Sequence, residues 1–90
     1  MSVAEAENAI RVKVLLFSVL REGVGLSTFT VDVPFGSSGG TMLDQLASEY
    51  PTLDRYREHI RLAVNASYVT QDVVLHNDDE VALITPTSGG

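Results

Sequence analysis

Ninety residues make one domain with room for a single core, and an apolar fraction of 44% is that of an ordinary globular protein. The net charge is −6 and the six Lys and Arg residues are scattered, which excludes the clustered basic surface that nucleic-acid phosphates demand. The chain has no cysteine, so disulfides, thiolate nucleophiles and Cys-ligated metals are excluded as well.

In chain order, residues 1–10 read as a flexible leader, polar and acidic, without the basic and apolar regions of a secretory signal. A domain is expected over residues 11–85. Arg11 to Phe17 is β-rich and reads as the first strand, with Val12, Val14 and Leu16 on one face and Lys13, Leu15 and Phe17 on the other. Ser18 can cap a short helix that the following glycines end. Thr28 to Val33 alternates as the second strand, with Phe29, Val31 and Val33 inward.

Pro34 to Gly40 is a cluster of breakers. It lacks the Lys-Ser/Thr pair of a phosphate-binding loop and reads as a flexible loop. Thr41 to Tyr50 is the main helix, capped by Thr41 with Asp44 three residues on, and striped by Met42, Leu43, Leu46 and Ala47. Pro51 stops it. A short helical turn over Asp54 to His59 carries a solvated charged face of Arg55, Arg57 and Glu58. Arg61 to Asn65 is a strand with Leu62 and Val64 inward, and Tyr68-Val69 and Val73-Val74-Leu75 are short apolar pieces. His76 to Asp79 makes a turn, and Glu80 to Ile84 is the last strand. The order β-β-α-β-β-β predicts an α+β fold in which a sheet of about five strands grips one main helix. If the first and last strands are central neighbours, they are parallel and the sheet is mixed.

No catalytic machinery stands out. His59 and His76 lie far apart in polar contexts and read as surface residues, so no metal site is expected. The serines lack a recognisable base arrangement. No apolar run approaches the roughly 18 to 20 residues that span a bilayer, so a soluble, cytoplasmic protein is expected. A carrier or binding module fits better than a self-sufficient enzyme, and the acidic charge suits a basic protein partner. The sheet face away from the helix should be polar, yet it would carry Leu15, Phe17, Ala82 and Ile84, with Tyr68 beside them. Such a patch reads as a docking surface.

The chain ends Thr85-Pro86-Thr87-Ser88-Gly89-Gly90. Residues 86–90 read as a flexible tail. Two residues without Cβ atoms leave the last carboxylate unhindered and thread a narrow channel. Such a carboxylate can be activated as an acyl-adenylate and passed to a nucleophile. Without cysteine, the chain can hold sulfur only there. Thr85 to Gly90 can extend roughly 20 Å, enough to reach a buried site in a partner.

LLFSVLREGVG at Leu15 to Gly25, Tyr50-Pro51 with Leu53, Ala63-Val64-Asn65, DDEVALITP at Asp78 to Pro86 and the final Ser-Gly-Gly stand in order along the chain. Together they resemble the small, sulfur-carrier subunit of molybdopterin synthase from Val12 onward. The resemblance implies a ubiquitin-like β-grasp fold. It implies that a ubiquitin-activating-type adenylating enzyme converts Gly90 to an acyl-adenylate and that a sulfur donor turns this into a thiocarboxylate. It further implies that the tail, which includes Ser88 and in which Gly89 gives slim passage, enters a large catalytic subunit within a heterotetramer. There the sulfur would move onto a cyclic pyranopterin precursor. Phe17, Arg21, Tyr68, Ile84 and Pro86 would dock partners. No cofactor would be bound stably, only AMP and then sulfur transiently at Gly90.

The sequence departs from the family in four places. Thr85 replaces a proline, Asp78 replaces a turn glycine, residues 36–40 are unusually glycine-rich, and the leader is extra. Beside an interaction module whose Gly-Gly end is incidental, two alternatives stay open. One is a sulfur carrier of another pathway, such as thiamine thiazole synthesis, whose members are usually shorter and lack the LREGVG-like segment. The other is a ubiquitin-like protein modifier, on which Lys13 would be the only lysine for chain building.

Overall fold

Strict alternation builds the centre of the sheet. In the computed structural model, which describes residues 8–86, strand β1 (Ala9–Leu16) buries Ile10, Val12, Val14 and Leu16. Strand β2 (Thr28–Pro34) lies antiparallel to it, with Val12 opposite Val31. Strand β5 (Glu80–Ile84) lies parallel to β1 on its other side, with Val14 opposite Val81 and Leu16 opposite Leu83. Strand β3 (Arg61–Val64) runs antiparallel to β5, and strand β4 (Ser67–Val69) closes the far edge. The order β2-β1-β5-β3-β4 is thus a mixed five-stranded sheet with a parallel central pair, as the sequence predicted.

A parallel pair needs a crossover, and helices supply it on one face. Helix α1 (Ser18–Val24) follows β1, helix α2 (Gly39–Glu49) follows β2, and helix α3 (Pro51–Tyr56) continues into a 3₁₀ turn at Arg57–His59. Met42, Leu43 and Leu46 of α2 share one cluster with Leu20, Leu53 and the inward residues of β1, β3 and β5.

The main helix starts earlier than the Thr41 expected from sequence. Its cap is Ser38, whose Oγ accepts the Thr41 N–H at 3.1 Å. The preceding segment is no flexible loop. Gly39 and Gly40 donate to the carbonyls of Val73 and Gln71, and Leu75 donates to Ser37. Val73 to Leu75 therefore contributes a single bridge, Ser38 to Val74, rather than a strand. Pro51 both ends α2 and opens α3, since its fixed φ suits the first helical position. Arg57 is not on a solvated face. It donates to the Asp44 carboxylate at 2.8 Å and to Gln71 at 3.1 Å, tying α2 to the segment after β4.

The LREGVG segment has a steric reason. A Cβ on Gly23 would fall 2.3 Å from Thr52 Oγ1, so glycine lets α1 close on α3. Gly25 caps α1 at φ 89°, in the left-handed region. Ser18 is not the cap of that helix. The cap is Phe17, without a side-chain bond, and Ser18 itself takes φ 48°.

Asn65 and Ala66, at φ 50° and 72°, join β3 to β4 in a two-residue turn. Asn65 also fixes the start of β5, accepting the Glu80 N–H and donating to Asp79, both at 3.0 Å. Asp78 takes the left-handed φ of 70° expected of it. Alanine tolerates this region poorly. Ala66→Gly is expected to stabilise the fold by about 0.5 to 1 kcal/mol, after the extra chain entropy of glycine. A melting curve shifted upward by a few degrees supports this turn geometry, and a lowered midpoint contradicts it.

The boundary read between residues 10 and 11 moves earlier. Ala9 and Ile10 belong to β1, Ile10 is buried, and the Asn8 carbonyl accepts the Phe35 N–H. A truncation that leaves the body intact must stop before Asn8. Residues 1–7 of the expected leader lie outside the described residues. Among the described residues, no helix is long and apolar enough to cross a membrane.

Candidate functional site: the open sheet face and the exit of the last strand

The same alternation that buries one side of each strand presents the other. Register aligns Thr28, Leu15, Ala82, Ala63 and Tyr68 in one row across the sheet, away from the helices. Ala63 is only 6% exposed yet stands outside the main core cluster, so its neighbours on this face cover it. Tyr68 is 69% exposed at the edge, and Leu15 and Ala82 are half-buried.

Along β1 and β5 the face is graded from charged to apolar. At the start of β1, Arg11 pairs with Asp32 at 3.0 Å and Lys13 with Glu80 at 3.8 Å. The hydrogen bond from Arg11 holds the Asp32 carboxyl below its usual range, and Asp32 raises Arg11 in return. A depressed carboxylate supports folding above its unfolded pKa and loses that support as pH falls through the folded value. Both side chains are largely exposed, so this support is slight.

At the other end β1 and β5 finish side by side at Leu16 and Leu83. Phe17 continues the extended backbone of β1 at φ −133°, ψ 157°, so its side chain stays on the open face, 46% exposed. Ile84 occupies the matching position on β5, half-buried. The left-handed Ser18 sits directly after Phe17, placing a strained residue at the edge of the site. Arg21 stands exposed in the last turn of α1. Thr85 and exposed Pro86 leave β5 from this apolar end.

The structure thus brings Phe17, Ile84 and Tyr68 to one face and puts Pro86 at its exit. Arg21 lies on the adjoining helix. Ser88, Gly89 and Gly90 lie outside the described residues. Sequence reading took β3 only for its inward residues. The outward Arg61 and Ala63 belong to this face, and the period-two pattern contained that information. Among the described residues, no cluster of His, Asp and Glu is placed to hold a metal ion.

An exposed aromatic at this position adds little to the core. Phe17→Arg is expected to leave stability within about 0.5 kcal/mol while sharply weakening partner binding. Thermal melting and a binding titration on the same variant check both halves. Unfolding of the variant, or unchanged binding, contradicts the assignment of this face.

A mixed sheet gripping one main helix, with an apolar open face at the exit of its last strand, defines a ubiquitin-like β-grasp protein. The ubiquitin-like domain of an Arabidopsis thaliana protein shares the fold at 14% identity, with a TM-score of 0.63 over 92% of this chain and 83% of that one. The ThiS family pattern matches residues 14–90, and the chain belongs to that family. It is 37% identical over 83 residues to the molybdopterin synthase sulfur carrier subunit of Arabidopsis thaliana, across 92% of this chain and 86% of the relative. It is also similar to the small archaeal modifier protein 1 of Haloferax volcanii, at 28% identity with a TM-score of 0.78. That match covers 87% of this chain and 99% of the other.

Proposed function

We propose that this protein is the sulfur carrier of molybdopterin synthase. In this reading its globular body docks through the open face while the segment after Ile84 delivers Gly90 to chemistry on another subunit. The observation that carries the reading is the polarity gradient of the face. Its apolar end, Phe17 and Ile84, coincides with the exit of β5. The sulfur-carrier name of relatives at 37% identity supports it.

The chain's own part in the mechanism is simple. The Gly90 carboxylate attacks the α-phosphate of ATP on a separate adenylating enzyme, displaces pyrophosphate and becomes an acyl-adenylate. A sulfur nucleophile displaces AMP and leaves a thiocarboxylate. The large catalytic subunit then receives the tail, the thiocarboxylate sulfur bonds to the cyclic pyranopterin precursor, and water cleaves the acyl C–S bond, leaving the sulfur on the precursor and restoring the plain carboxylate. Glycine at both final positions leaves the acyl carbon open to attack and the tail narrow. The globular body provides binding energy at a distance from the reacting atom and so positions it.

The likeness to a small archaeal modifier protein supports a second reading, in which Gly90 forms an isopeptide with a lysine of another protein. One experiment separates the two. Thiocarboxylated protein is mixed with the large subunit and the pyranopterin precursor, and its products are followed by mass. A carrier returns to the carboxylate in step with dithiolene formation. A species joined to a lysine, with no dithiolene formed, overturns the carrier reading.

A further inference from the structure

We propose that Arg61 selects the partner of the open face by pairing with a carboxylate on that partner, an inference that rests on the docking reading above. Arg61 is exposed on β3, directly in register with Ile84 and on the same side as Ala63. It therefore stands at the apolar end of the face, next to the residue from which the chain leaves the sheet.

The cations elsewhere on this face are already matched. Arg11 is paired with Asp32 and Lys13 with Glu80. Arg57, on the 3₁₀ turn before β3, is committed to Asp44. Among the described residues, no carboxylate lies within ion-pair distance of Arg61, and its side chain makes no hydrogen bond. Among those residues it has no counter-charge, and it stands beside the apolar end of the open face.

That placement constrains the partner. A protein seated on Phe17 and Ile84 removes water from Arg61, which stands in register with Ile84. An unmatched charge loses hydration there without recompense, whereas a carboxylate opposite it restores the interaction. The guanidinium fork fits a carboxylate in two parallel hydrogen bonds, which sets orientation as well as sign. The occupant is therefore a protein surface with an apolar centre and an acidic residue beside it. The net charge of −6 repels acidic surfaces in general, so this one contact favours a partner whose acid lies in the right place.

The test compares full-length wild-type protein, Arg61→Gln, Arg61→Glu, Arg61→Lys and Phe17→Arg. Each is titrated against the large catalytic subunit of molybdopterin synthase from the same source, at low and at high sodium chloride. Arg61→Gln is expected to weaken binding roughly ten- to a hundredfold at low salt, and Arg61→Glu more. Arg61→Lys should fall between wild type and Arg61→Gln, and the differences should shrink at high salt. Melting temperatures of the Arg61 variants should match wild type.

If Arg61→Gln and Arg61→Glu bind like wild type while Phe17→Arg does not, the proposal fails and the docking face stands. If Phe17→Arg also binds like wild type, the docking reading itself fails. An Arg61→Gln chain that melts early assigns the residue to folding and overturns the proposal.

Discussion

Deleting Gly90, or adding one residue after it, is expected to abolish molybdopterin formation while leaving the fold unchanged. In the carrier reading, activation requires a free carboxylate at the end of a chain narrow enough to reach the adenylating site. An added residue moves that carboxylate and places a side chain beside it. The cysteine-free chain offers sulfur no second site, so the loss should be near complete rather than graded. Every residue of the main core cluster lies between Ile10 and Leu83, well before the tail. The melting curve of the deletion should therefore superimpose on that of wild type. Dithiolene formation in a reconstituted synthase, read beside the melting curve, checks both parts. Normal cofactor synthesis by the deletion variant contradicts the carrier mechanism, however good the family likeness.

Leu46→Ala is expected to destabilise the protein by about 2 to 5 kcal/mol, a large part of the total for a domain of this size. Leu46 is 1% exposed at the centre of the stripe that α2 sets against the sheet. It shares its cluster with Val12 and Val14 of β1, Leu62 of β3, and Val81 and Leu83 of β5. Truncation removes buried methyl groups and leaves a cavity that the close-packed sheet beneath it cannot easily close. Equilibrium denaturation gives the value directly. A loss below about 1 kcal/mol would mean that the helix is not seated on the sheet as described.

The fold was legible wherever one face of an element is buried. β1 alternates buried and exposed residues along its length, β2 has its half-buried residues on the expected side, and the stripe of α2 faces the cluster. The mixed sheet was expected on the condition that the first and last strands are central neighbours, and β1 and β5 do pair in parallel. The misreadings have local causes. Gly39 and Gly40 looked like breakers, but their N–H groups are held by Val73 and Gln71 carbonyls, which sequence pattern cannot show. Val73 to Leu75 is apolar enough for a strand, yet its bonds go to the start of α2. Arg57 looked like surface charge because Asp44 and Gln71 are 13 and 14 residues away.

The docking face was partly legible. Phe17, Ile84 and Tyr68 follow from period two once β1 and β5 are neighbours. Arg61 was overlooked because its strand was read for its core-facing residues alone. The terminal chemistry is a separate case. It was read from residue types and a family resemblance, and no contact within the body of the domain encodes it.

The central claim is that Gly90 carries sulfur. The most direct measurement is the mass of the C-terminal peptide after the protein is incubated with its adenylating enzyme, ATP and a sulfur source. The expected result is the gain of one sulfur for one oxygen on the peptide containing Gly90, and on no other peptide. A peptide that keeps its plain carboxylate although ATP is consumed to AMP, or sulfur found elsewhere in the chain, would contradict it.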